Sequence, residues 1–239
     1  MTNNAHGERI PIQTVLVALH DSFGKNLTSI DQVLLPRLDN IDLQSRMISE
    51  AKSQLLNGYC SGPVQIKICE ELLDEIFSDF SLAMYFCAGG LIIPSQMSTR
   101  RAFELGVAAI YLWDLPHAFW GWRNRDDDLS FSGMIAHLNS TGYLEYLGQL
   151  HNSPNIGSMC KQAEFQKIYR ELSNTVHGKT SNLPPLSPER FDLECSQEFV
   201  IQQFELIERA QASILRLIFG RFERLEEKIQ EAMPQVKRK

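Results

Sequence analysis

Arg170 and His177 are the residues of this 239-residue chain whose types and spacing best suit a reaction. They stand seven positions apart in Ile168-Tyr-Arg-Glu-Leu-Ser-Asn-Thr-Val-His-Gly178, a stretch that reads as a helix ending at a glycine. Seven residues is almost two helical turns, so both side chains share one face, about 10 Å apart along the axis. A fixed cation beside an imidazole that titrates near neutral pH is the minimum equipment for breaking a phosphodiester without a metal. On a helical wheel Gln166, Arg170, Ser173 and His177 form one narrow stripe, with Asn174 at its edge. Phe165, Ile168, Leu172, Thr175 and Val176 fill much of the remainder, so the stripe faces water or lines an interface. In an interface its polar groups need partners, which a symmetry-related copy of the helix would supply.

The same residues admit a purely structural reading. His177 occupies the last turn ahead of Gly178, where an imidazolium meets the helix dipole and the free carbonyls. An arginine followed by a histidine at this spacing also arises by chance in a chain with this many arginines.

The elements that would position the stripe read as helices. Residues 41 to 57 carry Ile41, Met47, Ile48, Ala51 and Leu55 at three-and-four spacing, with Gly58 as a stop. A second helix follows Pro63, its apolar stripe made of Ile66, Cys69, Leu72, Leu73, Ile76, Phe77 and Phe80. A third is expected from about Arg100 to Trp113, broken by Pro116. The motif helix runs from Glu164 to His177, and one long helix from Ser196 to Met233. Thr14-Val-Leu-Val-Ala18 fits a strand or a helix end, and periodicity does not decide between them. Residues 178 to 192, with Pro184, Pro185 and Pro188, read as a loop, and Asp126, Asp127 and Asp128 as an exposed turn. The expected fold class is all-α: an N-terminal helical region over 1–94 and a helical bundle with a long C-terminal helix over 95–239.

Composition bounds the function. The apolar share of 44% and charged share of 22% are those of an ordinary globular chain. A net charge of −6 argues against a general nucleic-acid coat while leaving room for a small basic cleft. The N-terminus lacks the apolar core of a signal peptide, and no window approaches a membrane span. Five cysteines, Cys60, Cys69, Cys87, Cys160 and Cys195, show no C-x-x-C spacing and suit reduced thiols in a cytoplasm. The expectation is a cytoplasmic protein without a membrane partner.

Tyr169-Arg-Glu-Leu-Ser-Asn-Thr-Val-His-Gly178 resembles the R-x(4–6)-H motif region of HEPN-like proteins. Its form is similar to the Y-x-x-L-S-x-x-V-H-G of a bacterial set that includes abortive-infection and toxin-type proteins. Upstream, Arg101-Ala-Phe-Glu104 and Tyr111-Leu-Trp-Asp-Leu-Pro-His117 resemble the R-x-x-x-E…Y-x-x-D-H-P helix that accompanies the motif, except that here Glu104 follows Arg101 by three positions and the proline precedes His117. The resemblance covers residues 96 to 182. It implies a helical bundle that usually dimerises, bringing two Arg–His motifs together, and in active members RNA cleavage without a metal or cofactor. By matching position His177 would be the general acid/base and Arg170 the phosphate clamp. Ser173 and Asn174 would be secondary hydrogen-bond donors, and Arg101 or Glu104 would support the motif helix from its neighbour. The residue after the arginine, often Asn, Asp or His in such motifs, is Glu171. The implied function is a toxin or antiviral-defence endoribonuclease with RNA as substrate. The partner would be a second copy or a protein of a toxin–antitoxin system. The alternative is a catalytically inactive module that binds a protein or nucleic acid in a defence complex.

Other groupings carry less. Trp113, Phe119, Trp120 and Trp122, followed by Arg123 and Arg125, suit single-stranded nucleic acid, yet aromatics this dense are more often core or interface anchors. Asp126 to Asp128 lack partner ligands for a divalent ion, and His117, His137 and His151 are too scattered for a metal site. Gly89-Gly90 lacks the lysine of a phosphate-binding loop.

Overall fold

A computed structural model describes residues 12–30, 34–124, 128–153, 156–176 and 196–234. Every regular element among them is helical. In chain order these are α1 (Ile12–Thr28), α2 (Leu35–Gly58), α3 (Pro63–Lys67), a π-helical segment (Ile68–Leu73) and α4 (Asp74–Ala88). There follow α5 (Ile92–Trp113), α6 (Pro116–Arg123), α7 (Phe131–Leu138), α8 (Thr141–Leu150), α9 (Gln162–Val176), α10 (Gln197–Arg221) and α11 (Leu225–Ala232). The Thr14–Ala18 stretch is therefore helix. No helix of the described residues is long and apolar enough to cross a membrane.

α5 is the hub, packing on α4, α10, α9 and α7. Its small residues allow this: a Cβ at Gly106 would lie 2.5 Å from Ile214 Cδ1, so α5 and α10 meet at a distance only glycine permits. Phe80, Phe103, Phe119, Phe204 and Phe222 are fully buried in one continuous core. Ser95 and Thr99 of α5 meet Gln203 of α10 inside it, Gln203 Nε2 donating to Ser95 Oγ at 3.0 Å. Residue 94 falls within the first turn of α5. The described helices on either side of it contribute to one core.

Two elements depart from the expected pattern. The helix after Pro63 runs on to Ala88 but widens into the π segment, which rotates the buried face partway along. Ile68 joins the core, while Ile66 and Phe77 of the expected stripe are left exposed and its other members are buried. The expected single C-terminal helix is two. Phe222 leaves helical geometry to pack edge-on against Trp113 at 4.8 Å, Tyr59 Oη donates to the Glu223 carbonyl at 2.8 Å, and Arg224 adopts φ 61°. The chain thereby folds α11 back on α2, burying Leu225 and Ile229. That burial outweighs the cost of a left-handed arginine.

A groove along the motif helix

α9 is strongly amphipathic, and its buried face is aromatic and aliphatic. Phe165, Ile168 and Leu172 are buried, Phe165 stacking on Phe103 of α5 at 5.4 Å. Tyr169 stacks on Phe131, the first residue of α7, at 4.2 Å with the rings 6° from parallel. α7 begins there because Ser130 caps it, its Oγ accepting from Gly133 N at 3.3 Å. α5 closes the other side: Arg100 donates to Glu104 at 2.8 Å and to Tyr169 Oη at 3.0 Å, its guanidinium 5.0 Å from the Tyr169 ring centre.

The result is an open groove of about 500 Å³ between the start of α7 and the outer face of α9, lined by Ser130, Ser132, Gln166, Tyr169, Arg170 and Ser173. Arg170 is exposed and makes no hydrogen bond or ion pair with any described residue. Gln166 and Asn174 are exposed beside it. The Ser173 hydroxyl is shielded from water and has no hydrogen-bond partner among the described residues. Glu171 turns the other way, accepting from Arg209 of α10 at 2.8 Å, so its charge is taken up on the side of α9 facing α10. His177 lies outside the described residues, as do Arg125, Asp126, Asp127 and Cys195.

The residues expected to support α9 separate. Arg101 faces α4, donating to both Asp79 oxygens at 2.9 Å and pairing with Glu75. Its neighbour Arg100 reaches the motif helix instead, four residues before Glu104 and so on the same face of α5. One residue is 100° on the wheel, which is enough to send the two arginines to opposite neighbours. Burial pushes the Asp79 carboxyl, only 7% exposed, up to about 6.

Asp114 does not extend the groove. At the far end of α5 it holds Arg221 of α10 in a bidentate pair at 2.7 and 2.5 Å, both side chains about nine-tenths buried. Tyr143 Oη donates to the same carboxylate at 2.9 Å and Tyr146 Oη at 3.4 Å. Burial first, and the carboxylate second, push the Tyr143 phenol far up and keep it a donor. His151 Nε2 lies 3.0 Å from the Arg221 carbonyl. Asp114, Tyr146, His151 and Arg221 line a second cleft, of about 560 Å³, together with Tyr59 and Trp113. Asp114 and Arg221 are 107 positions apart, and no local pattern joins them.

The dense aromatics divide. Phe119 and Trp113 are buried and Trp122 is packed on the core, whereas Trp120 is exposed. Arg123 pairs with Glu71 and lies over the Phe119 ring. His137 is edge-on to Tyr111. Among the described residues no three histidine, cysteine or acidic side chains converge as a metal site would need. Compared with protein-family models, curated proteins and solved structures, the chain has no significant match to any of the three.

Proposed function

We propose that the chain is a HEPN-like endoribonuclease of the toxin or anti-phage type, working as a homodimer without a metal. The supporting observation is the free cation. Arg170 stands in an open groove with no carboxylate among the described residues to neutralise it, while the neighbouring Glu171 is spent on Arg209. A guanidinium so placed can clamp a phosphate through two parallel hydrogen bonds and balance the charge that builds on the phosphorane. The ribose 2′-hydroxyl attacks the adjacent phosphorus, and the 5′-oxygen leaves. His177, one residue beyond Val176, accepts the 2′-hydroxyl proton or delivers one to the leaving oxygen. Gln166 and Asn174, both exposed, supply neutral donors along the same face.

This chemistry needs the 2′-hydroxyl. An RNA carrying a single 2′-deoxy nucleotide at a cleaved position is expected to resist cutting there. Products from unmodified RNA are expected to end in 2′,3′-cyclic phosphate. Products ending in 3′-hydroxyl and 5′-phosphate would rule the mechanism out.

A second reading, a catalytically inactive HEPN-like module, is favoured by a different feature. Leu82 and Tyr85 of α4 and Ile93 and Met97 of α5 are all exposed, apolar side chains of the kind a protein partner would cover. Under that reading Met97→Glu abolishes partner capture, and Arg170→Ala changes neither toxicity nor RNA.

A further inference from the structure

Cys60 and Cys69 bring their sulfur atoms to 3.8 Å. The approach follows from the corner between α2 and α3. α2 ends at Gly58, and the amides of Tyr59 and Cys60 both return to the Leu55 carbonyl. The chain reverses through extended Gly62, and Pro63 starts the next helix at a position that needs no amide donor. Two turns later the π segment presents Cys69 back toward the corner. Cys69 is fully buried, whereas Cys60 is half-buried, so solvent reaches the pair from the Cys60 side.

We infer that Cys60 and Cys69 are a reversible disulfide-forming site, in which a small disulfide such as oxidised glutathione is the oxidant. A disulfide bond is 2.03–2.05 Å long, so the sulfurs must close by about 1.8 Å. Side-chain rotation at the half-exposed Cys60 supplies much of this. The Cys60 thiolate attacks glutathione disulfide, forming a mixed disulfide and expelling one glutathione thiolate. The Cys69 thiolate then attacks Cys60 Sγ and expels the second. Two thiols become one disulfide, one oxidised glutathione becomes two reduced molecules, and the two thiol protons end on the glutathione sulfurs or in water. The neighbouring Cys69 captures the mixed disulfide without diffusion, as a resolving cysteine does.

The environment sets the pace. Burial pushes both thiols up, Glu70 pushes further, and Lys52 opposes it at Cys69, so exchange is slow near neutral pH and quickens as pH rises. The bond would tie the end of α2 to the π segment beside Tyr59 and Ser61, which line the second cleft.

The test uses the full chain, treated with oxidised glutathione and digested without reduction for peptide mass analysis. The expected product is a 60–69 cross-linked peptide lighter by two hydrogens, with two of the five thiols lost and both recovered by dithiothreitol. Its formation rate should rise about tenfold per pH unit below the thiol pKa. Cys60→Ser and Cys69→Ser should each abolish the cross-link, and in Cys60→Ser the buried Cys69 should stay unmodified. The inference is overturned if Cys60 holds glutathione that Cys69 never displaces. It is overturned equally if both thiols stay free at equilibrium, or if either pairs with a different cysteine.

Discussion

Arg170 and Arg221 show what an arginine does when free and when buried. Arg170 has no described partner, so Arg170→Ala should leave unfolding free energy within about 0.5 kcal/mol of wild type while removing at least about a hundredfold of any RNA cleavage. Arg221 behaves oppositely: Arg221→Ala strands the Asp114 carboxylate, about nine-tenths buried, and should cost about 3–5 kcal/mol in denaturant unfolding. Asp79 gives a pH signature. Its carboxyl is held up to about 6 in the folded chain, against an unfolded value near 3.8, so the folded state binds the extra proton between them. Stability contributed by that proton is present below about pH 4 and lost as pH rises through about 6, a change of up to about 3 kcal/mol. Asp79→Asn should flatten the stability curve across that window; an unchanged slope would show that Asp79 titrates normally.

Helices are set by local signals where caps and periodicity agree and by tertiary contacts where they do not. Gly106→Ala should drive a methyl into Ile214 and cost about 1–3 kcal/mol, since neither α5 nor α10 can retreat without opening the core. Ser130→Ala should cost about 1 kcal/mol and loosen the Phe131–Tyr169 stack, which a weakened ring-current shift of Tyr169 would report. The Gly58 stop, the Pro63 start and the body of α9 were all legible from residue types and spacing. α7 and α8 were not: each spans ten residues or fewer, and the capping serines Ser130 and Ser140 were their only strong marks. Gly220 is the one local mark near the break after Arg221, and it lies inside the last turn of α10, because Trp113 and Tyr59 impose the break from elsewhere in the chain. The polar face of α9 could be drawn on a wheel. That Arg100 rather than Arg101 braces it could not, since only the positions of Asp79 and Tyr169 separate two adjacent arginines.

Two exposed features bear on the whole molecule. One is the groove along α9; the other is the set of exposed apolar side chains Leu82 and Tyr85 of α4 and Ile93 and Met97 of α5. A homodimer that pairs the motif helices should show a solution mass of twice 27.3 kDa by light scattering, and Met97→Glu should leave that mass unchanged. A monomer at the concentrations where RNA is cleaved would separate the reaction from dimerisation. The most direct measurement of the proposed activity is cleavage of labelled single-stranded RNA in EDTA by the wild-type chain, Arg170→Ala and His177→Ala, each verified as folded. The expected result is cutting by the wild type and loss in both variants; cutting that persists in both, or is absent from all three, contradicts a ribonuclease built on Arg170 and His177.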